Sequence, residues 1–134
     1  VGPFLATSSS AVNVTDIPSW ARRIDVIIDG VASGGGIKVR LGTATNIYGS
    51  GYTGALNDGF KAFISDTGAN TGILTMVRTA QAKWAATATF SASSTSGGVS
   101  AGVSPLLDGP VTRIQILTGG GSFANGQFWL RISK

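Results

Sequence analysis

From Pro18 to Val31 the chain reads as a turn that launches one long β-strand. Pro18 has a fixed φ and no amide hydrogen, which suits a strand entrance and not a ladder interior. Beyond it Arg22, Ile24, Val26 and Ile28 fall on one face, and Arg23, Asp25, Ile27 and Asp29 on the other. The same period of two returns at 37–43, where Ile37, Val39 and Leu41 alternate with Lys38 and Arg40. It returns again at 83–91, where Trp84, Ala86, Ala88 and Phe90 alternate with Lys83, Ala85, Thr87 and Thr89.

Further strands are expected at 60–65, 72–79, 111–118 and 126–132, with weaker ones near 4–7, 11–15 and 98–103. Turn chemistry separates them: glycines at 34–36, Asn57-Asp58-Gly59, Gly97-Gly98, Asp108-Gly109-Pro110 and Gly119-Gly120-Gly121. Only Thr75 to Trp84 offers a helical stretch, and its β-branched start argues against one. Many short strands with such turns predict an all-β fold, an antiparallel β-sandwich of jelly-roll type. Residues 1–134 are expected to form one domain, with 1–16 as an N-terminal arm, a first strand or a link to a longer chain.

Charged residues make up 12% of the chain, about half the usual share, and there are 20 glycines. Small polar groups replace charge, which favours strands and tight turns over exposed helices. With 43% hydrophobic residues the composition is not that of a disordered chain. The absence of cysteine excludes disulfides and thiolate metal sites. Val1-Gly2-Pro3-Phe4-Leu5 is not a signal peptide, and no apolar run approaches the roughly 20 residues of a membrane helix, so no membrane insertion is expected. A start without methionine suggests processing or a piece of a longer chain.

Absences decide most of the chemistry. The chain has no histidine and no glutamate, so six aspartates are its only side-chain carboxylates. Gly98-Val99-Ser100-Ala101-Gly102 matches a nucleophile elbow, but Ser100 has no imidazole to serve as base, and the segment reads as a small-residue strand or loop. Gly49-Ser50-Gly51-Tyr52-Thr53-Gly54 matches G-x-G-x-x-G without the helix that motif needs, and reads as a surface turn. Glycoside hydrolysis needs two carboxyls roughly 5–9.5 Å apart. Asp25 and Asp29 share a face, but four extended residues separate them by about 13 Å. They are expected to face solvent and pair with Arg23 or neighbouring strands, while Asp58 with Asp66 or Asp108 stays open as a loop-built pair. The expectation is therefore no enzyme, no cofactor and no metal site; a calcium ion on Asp and backbone carbonyls stays compatible.

Net charge is +4 with a pI near 10. The basic residues come singly or in pairs without interleaved aromatics, so nucleic-acid binding is not expected. The charge does favour approach to anionic lipopolysaccharide or phosphate groups. Trp20, after the proline turn, is expected to plug one end of the sandwich, and Trp84 to lie in the core. Trp129 sits opposite Phe128, Leu130 and Ile132 in face, which makes it a candidate receptor or subunit contact. Tyr48 and Tyr52, in and beside the glycine-rich stretch, are candidates to stack on sugars, with packing as the competing account.

Several segments, in order, carry a family resemblance. Ile17-Pro18-Ser19-Trp20-Ala21-Arg22-Arg23-Ile24 resembles the I-P-S-W-x-(K/R)-R-I opening of a β-rich module at the C-terminal ends of tailed-bacteriophage tail and tail-fibre proteins. Leu41-Gly42-Thr43 with Gly51-Tyr52, then Trp84, then Leu107-Asp108-Gly109-Pro110-Val111-Thr112-Arg113-Ile114, then Phe123-Ala124-Asn125-Gly126 resemble later segments of it. The chain departs at its end, Arg131-Ile132-Ser133-Lys134, where the family carries a Tyr-Glu pair, and between Gly51 and Gly72. The resemblance implies a virion structural protein, the terminal module of a tail fibre acting in host-surface recognition and attachment. The alternative is a capsid decoration or tail-stabilising protein that binds other virion subunits. Fibre context implies a homotrimer with contacts that include Trp129, and a host glycan or lipopolysaccharide as partner.

Overall fold

The computed structural model describes residues 2–5, 10–32, 36–62, 69–79, 82–92 and 97–134. Eleven strands order the chain: β1 (Phe4–Leu5), β2 (Ala11–Val14), β3 (Arg23–Ala32), β4 (Ile37–Gly42), β5 (Thr53–Gly54), β6 (Phe60–Lys61), β7 (Ala69–Arg78), β8 (Trp84–Ala92), β9 (Gly98–Val103), β10 (Arg113–Thr118) and β11 (Gln127–Ser133). No α-helix occurs among the described residues, and Thr75 to Arg78 is strand. The expected strands are present where they are described, within a residue or two except at the start of β7, which begins at Ala69, three residues before the expected 72. The glycines at 34 and 35, Asp66, and the expected strand ends at 6–7 and 63–65 lie outside the described residues.

Two antiparallel sheets pack together, with strand orders β1-β11-β3-β7-β8-β9-β5 and β2-β10-β4-β6. The pairings are nested: β1 with β11, β2 with β10, β3 with β7 and β4 with β6, all antiparallel. Pairing of β11 with β3 and β10 with β4 then closes the two sheets. A long double ribbon folded over in this way is a jelly roll. The β8–β9 hairpin, inserted between β7 and β10, widens one sheet beyond the usual four strands.

Period-two alternation fills the space between the sheets. Ile24, Val26 and Ile28 of β3, Leu74 and Met76 of β7, and Phe128 and Leu130 of β11 face Val39 and Leu41 of β4 and Ile114 and Ile116 of β10, and all are buried. Phe123 and Phe128 meet edge to face at 5.3 Å. Where Phe90 needs room in this layer, its partner across the ladder is Gly72, whose place a side chain would take only by striking the Thr89 carbonyl. The β3–β7 register slips between Ile28 and Val31, and Gly30, at φ 63°, takes up the extra residue.

Trp84 is buried as expected, but Trp20 is 49% exposed and does not plug the sandwich. The turn closed by the Ala21 amide on the Pro18 carbonyl buries Ile17 and Ala21 instead, and turns Trp20 outward beneath the Lys134 ammonium, 5.6 Å from its ring.

Candidate interaction site

The two sheets present outward faces of opposite chemistry. On the seven-stranded sheet the registers align Trp129, Ile27, Ile73, Thr89 and Val99 in one row across β11, β3, β7, β8 and β9. A neighbouring row reads Arg131, Asp25, Thr75, Thr87 and Ala101, and the next Ser133, Arg23, Val77, Ala85 and Val103. Of the six large hydrophobic side chains left exposed among the described residues, Trp129, Val77, Val99 and Val103 lie on this face. Such clustering differs from the scattered apolar exposure of an ordinary surface.

The charges on this face neutralise one another. Asp25 has no solvent exposure although it points away from the core. The Arg131 guanidinium meets it at 2.9 Å, the Arg23 guanidinium at 3.3 Å, and the Thr75 hydroxyl donates to it at 2.7 Å. Burial opposes the charged carboxylate, but the Thr75 and Arg131 hydrogen bonds and the two positive charges outweigh it and hold its pKa below the ordinary value. The expectation of a solvent-facing Asp25 is thus corrected: its partners cover it.

The four-stranded sheet is the opposite. Its outward face carries Lys38 and Arg40 on β4, Lys61 on β6 and Arg113 on β10, with Gln115 and Asn13 beside them. Asp58 answers two of these cations, at 2.6 Å from the Lys38 ammonium and 3.5 Å from the Arg40 guanidinium. Lys38 and Lys61 stand directly opposite each other. Sequence spacing disperses these residues; strand pairing gathers them, and only knowledge of the pairing reveals the patch.

The candidates at Tyr48 and Tyr52 have structural duties. Tyr52 is 3% exposed; its hydroxyl accepts from the Leu41 amide at 2.9 Å and donates to the Tyr48 carbonyl at 3.0 Å, and its ring meets Phe60 edge-on. Burial pushes its pKa up to about 12, although the Leu41 amide pulls the other way. Packing is therefore its role, and its phenol is not at the surface. The half-buried Tyr48 accepts from the Asp108 amide at 2.9 Å.

That bond belongs to a clamp between loops 43–48 and 104–112. Asp108 accepts from the hydroxyls of Thr43, at 2.5 Å, and Thr45, and from the Asn46 amide at 3.1 Å. These bonds, that from Thr43 first, hold its carboxyl far below the usual range. Ser100 lies in β9 and donates to the Lys61 carbonyl at 2.8 Å, so its motif is a strand and not an elbow. Among the described residues no three acidic or other ligating side chains cluster as for a metal.

Beside the clamp, two clefts of about 490 and 190 Å³ share Ala44 and Thr112. Compared with protein-family models, curated proteins and solved structures, the chain matches none.

Proposed function

We propose that the chain is a non-enzymatic module of a tailed-phage virion, the terminal part of a tail fibre that attaches the particle to its host. The order of segments from Ile17 to Gly126 supports the phage reading. The observation that carries the mechanism is the apolar, internally neutralised outer face of the seven-stranded sheet. Five strands at about 4.8 Å and three rows at about 6.7 Å span an area on the order of 400 Å². That is roughly half of one side of a standard interface. One such contact is weak, whereas several around a symmetry axis are not, which fits a homotrimer built through Trp129, Val99 and Val77.

The cationic outer face cannot stack on itself, since like charges would meet. In this reading it stays outward, where it draws the particle toward anionic surface polymers such as lipopolysaccharide. Several weak contacts per trimer then add as avidity.

The test is binding of fluorescently labelled protein to a panel of bacterial strains, with unlabelled protein as competitor. Saturable, strain-selective binding is the expected result. Uniform absence of binding by folded, oligomeric protein would move the reading to a capsid-decoration or tail-stabilising role.

A further inference from the structure

The larger cleft lies where loop 15–17 faces the turn at Ala44 and the start of β10. Thr15, Asp16, Ile17, Ala44, Thr112 and Arg113 line it. Its volume is about 490 Å³, and it is a shallow cleft open to solvent. Backbone bonds fix its walls: the Ile17 amide donates to the Thr112 carbonyl at 2.9 Å, and the Thr112 amide to the Gly42 carbonyl at 3.0 Å.

Two charged groups line this cleft, and among the described residues neither forms an ion pair. Arg113 donates through Nε to the Thr43 carbonyl at 2.8 Å, which anchors its guanidinium plane and leaves the terminal amines without a carboxylate. Among the described residues Asp16 accepts one side-chain bond, on Oδ2 from the Thr15 hydroxyl at 3.1 Å. Asp16 is also held at φ 62°, a conformation that few residues other than glycine adopt.

A lone anion in this cleft would meet the Asp16 carboxylate, and a lone cation the Arg113 guanidinium. A neutral group that donates to one wall and accepts from the other satisfies both. Vicinal hydroxyls do this, with the Thr15 and Thr112 hydroxyls as further partners and the exposed Ala44 offering apolar surface to ring C–H groups.

We infer that this cleft is a saccharide-binding site that recognises vicinal hydroxyls through Asp16 and Arg113. The inference deepens the attachment reading and rests on it for the biological source of the sugar.

The test is an amide-resolved NMR titration of the whole chain with glucose, galactose and N-acetylglucosamine, with inorganic phosphate as a separate probe. Saturable shifts at residues 15–17, 44, 112 and 113 with at least one sugar, and none there with phosphate, are expected. Ala44→Trp fills the cleft from an exposed position, and Asp16→Asn removes the accepting charge while keeping a residue tolerant of this backbone. Each should weaken sugar binding at least about tenfold with the remaining spectrum unchanged. No sugar shifts in the cleft, equal shifts with phosphate, or shifts indifferent to both variants would each overturn the inference. Strain binding separates the two claims: cleft shifts without any strain bound sink the attachment reading and uphold the cleft. Selective strain binding without cleft shifts does the reverse.

Discussion

Arg131 stands opposite Asp25 across the β11–β3 ladder and meets its carboxylate at 2.9 Å, on the outside of the sheet, where Asp25 is nonetheless shielded from water. Arg131→Ala should cost about 1.5–3 kcal/mol at neutral pH, the range for a hydrogen bond to a charged group. A carboxyl with a depressed folded pKa contributes stability above its unfolded value, about 3.9, and loses it as pH falls through the folded value. In the variant that folded value rises toward the ordinary one. Urea unfolding at pH 7 and pH 3 should therefore show a smaller drop for the variant than for the parent. An equal drop would remove Arg131 from the set of groups that hold Asp25 charged.

The outer face of the seven-stranded sheet predicts a change in assembly without a change in fold. Val99 is 79% exposed, so Val99→Arg leaves the core untouched. By light scattering at micromolar concentration the parent should be a trimer and this variant a single chain, with the same thermal unfolding of secondary structure. Trp129→Glu should act in the same direction. A monodisperse monomeric parent would end the trimer reading.

Tyr52 should behave as a core residue. Tyr52→Phe leaves the Leu41 amide without its acceptor and should cost about 1–3 kcal/mol, with no effect on strain binding. Its phenol, raised to about 12, contributes stability that is complete below the unfolded value near 10. That stability is lost as pH climbs to about 12. The tyrosinate absorbance of Tyr52 should therefore rise only near pH 12, together with unfolding.

Asp108 clamps one loop to another. Asp108→Asn keeps the size of the side chain but weakens its bonds from Thr43 and Thr45, since a neutral amide oxygen is a poorer acceptor than a carboxylate. Amide exchange should speed up at Thr43 and Asn46 while the amides of β3 and β7 stay protected. Uniform acceleration across the chain would mean that the clamp supports the whole fold.

At Asp16 the φ of 62° makes glycine the compatible replacement. Asp16→Gly should stay within about 0.5 kcal/mol of the parent, because relief of backbone strain offsets the added freedom of the unfolded chain. Asp16→Val should be clearly less stable in the same thermal melt.

The strands and the sandwich could be read from the chain because a half-buried strand writes its burial directly as alternation. Ile24, Val26 and Ile28 against Asp25 and Ile27 is such a record, and glycine clusters mark where the chain must turn. Trp84 and the outward Trp129 follow from the same period. Local pattern says nothing about which strands become neighbours. That Lys38, Arg40, Lys61 and Arg113 share one face, that Arg131 covers Asp25, and that Asp16 and Arg113 border one cleft depend on pairings between residues tens of positions apart. Trp20 leaves its expected place, and Tyr52 takes packing over sugar stacking, for the same reason. A loop side chain is buried or exposed by what packs beside it, here Ile17, Ala21 and Phe60, and loops carry no periodicity to announce that choice. Alternation is a property of a single strand, whereas a surface or a site is made by the distances between strands, and only tertiary structure sets those.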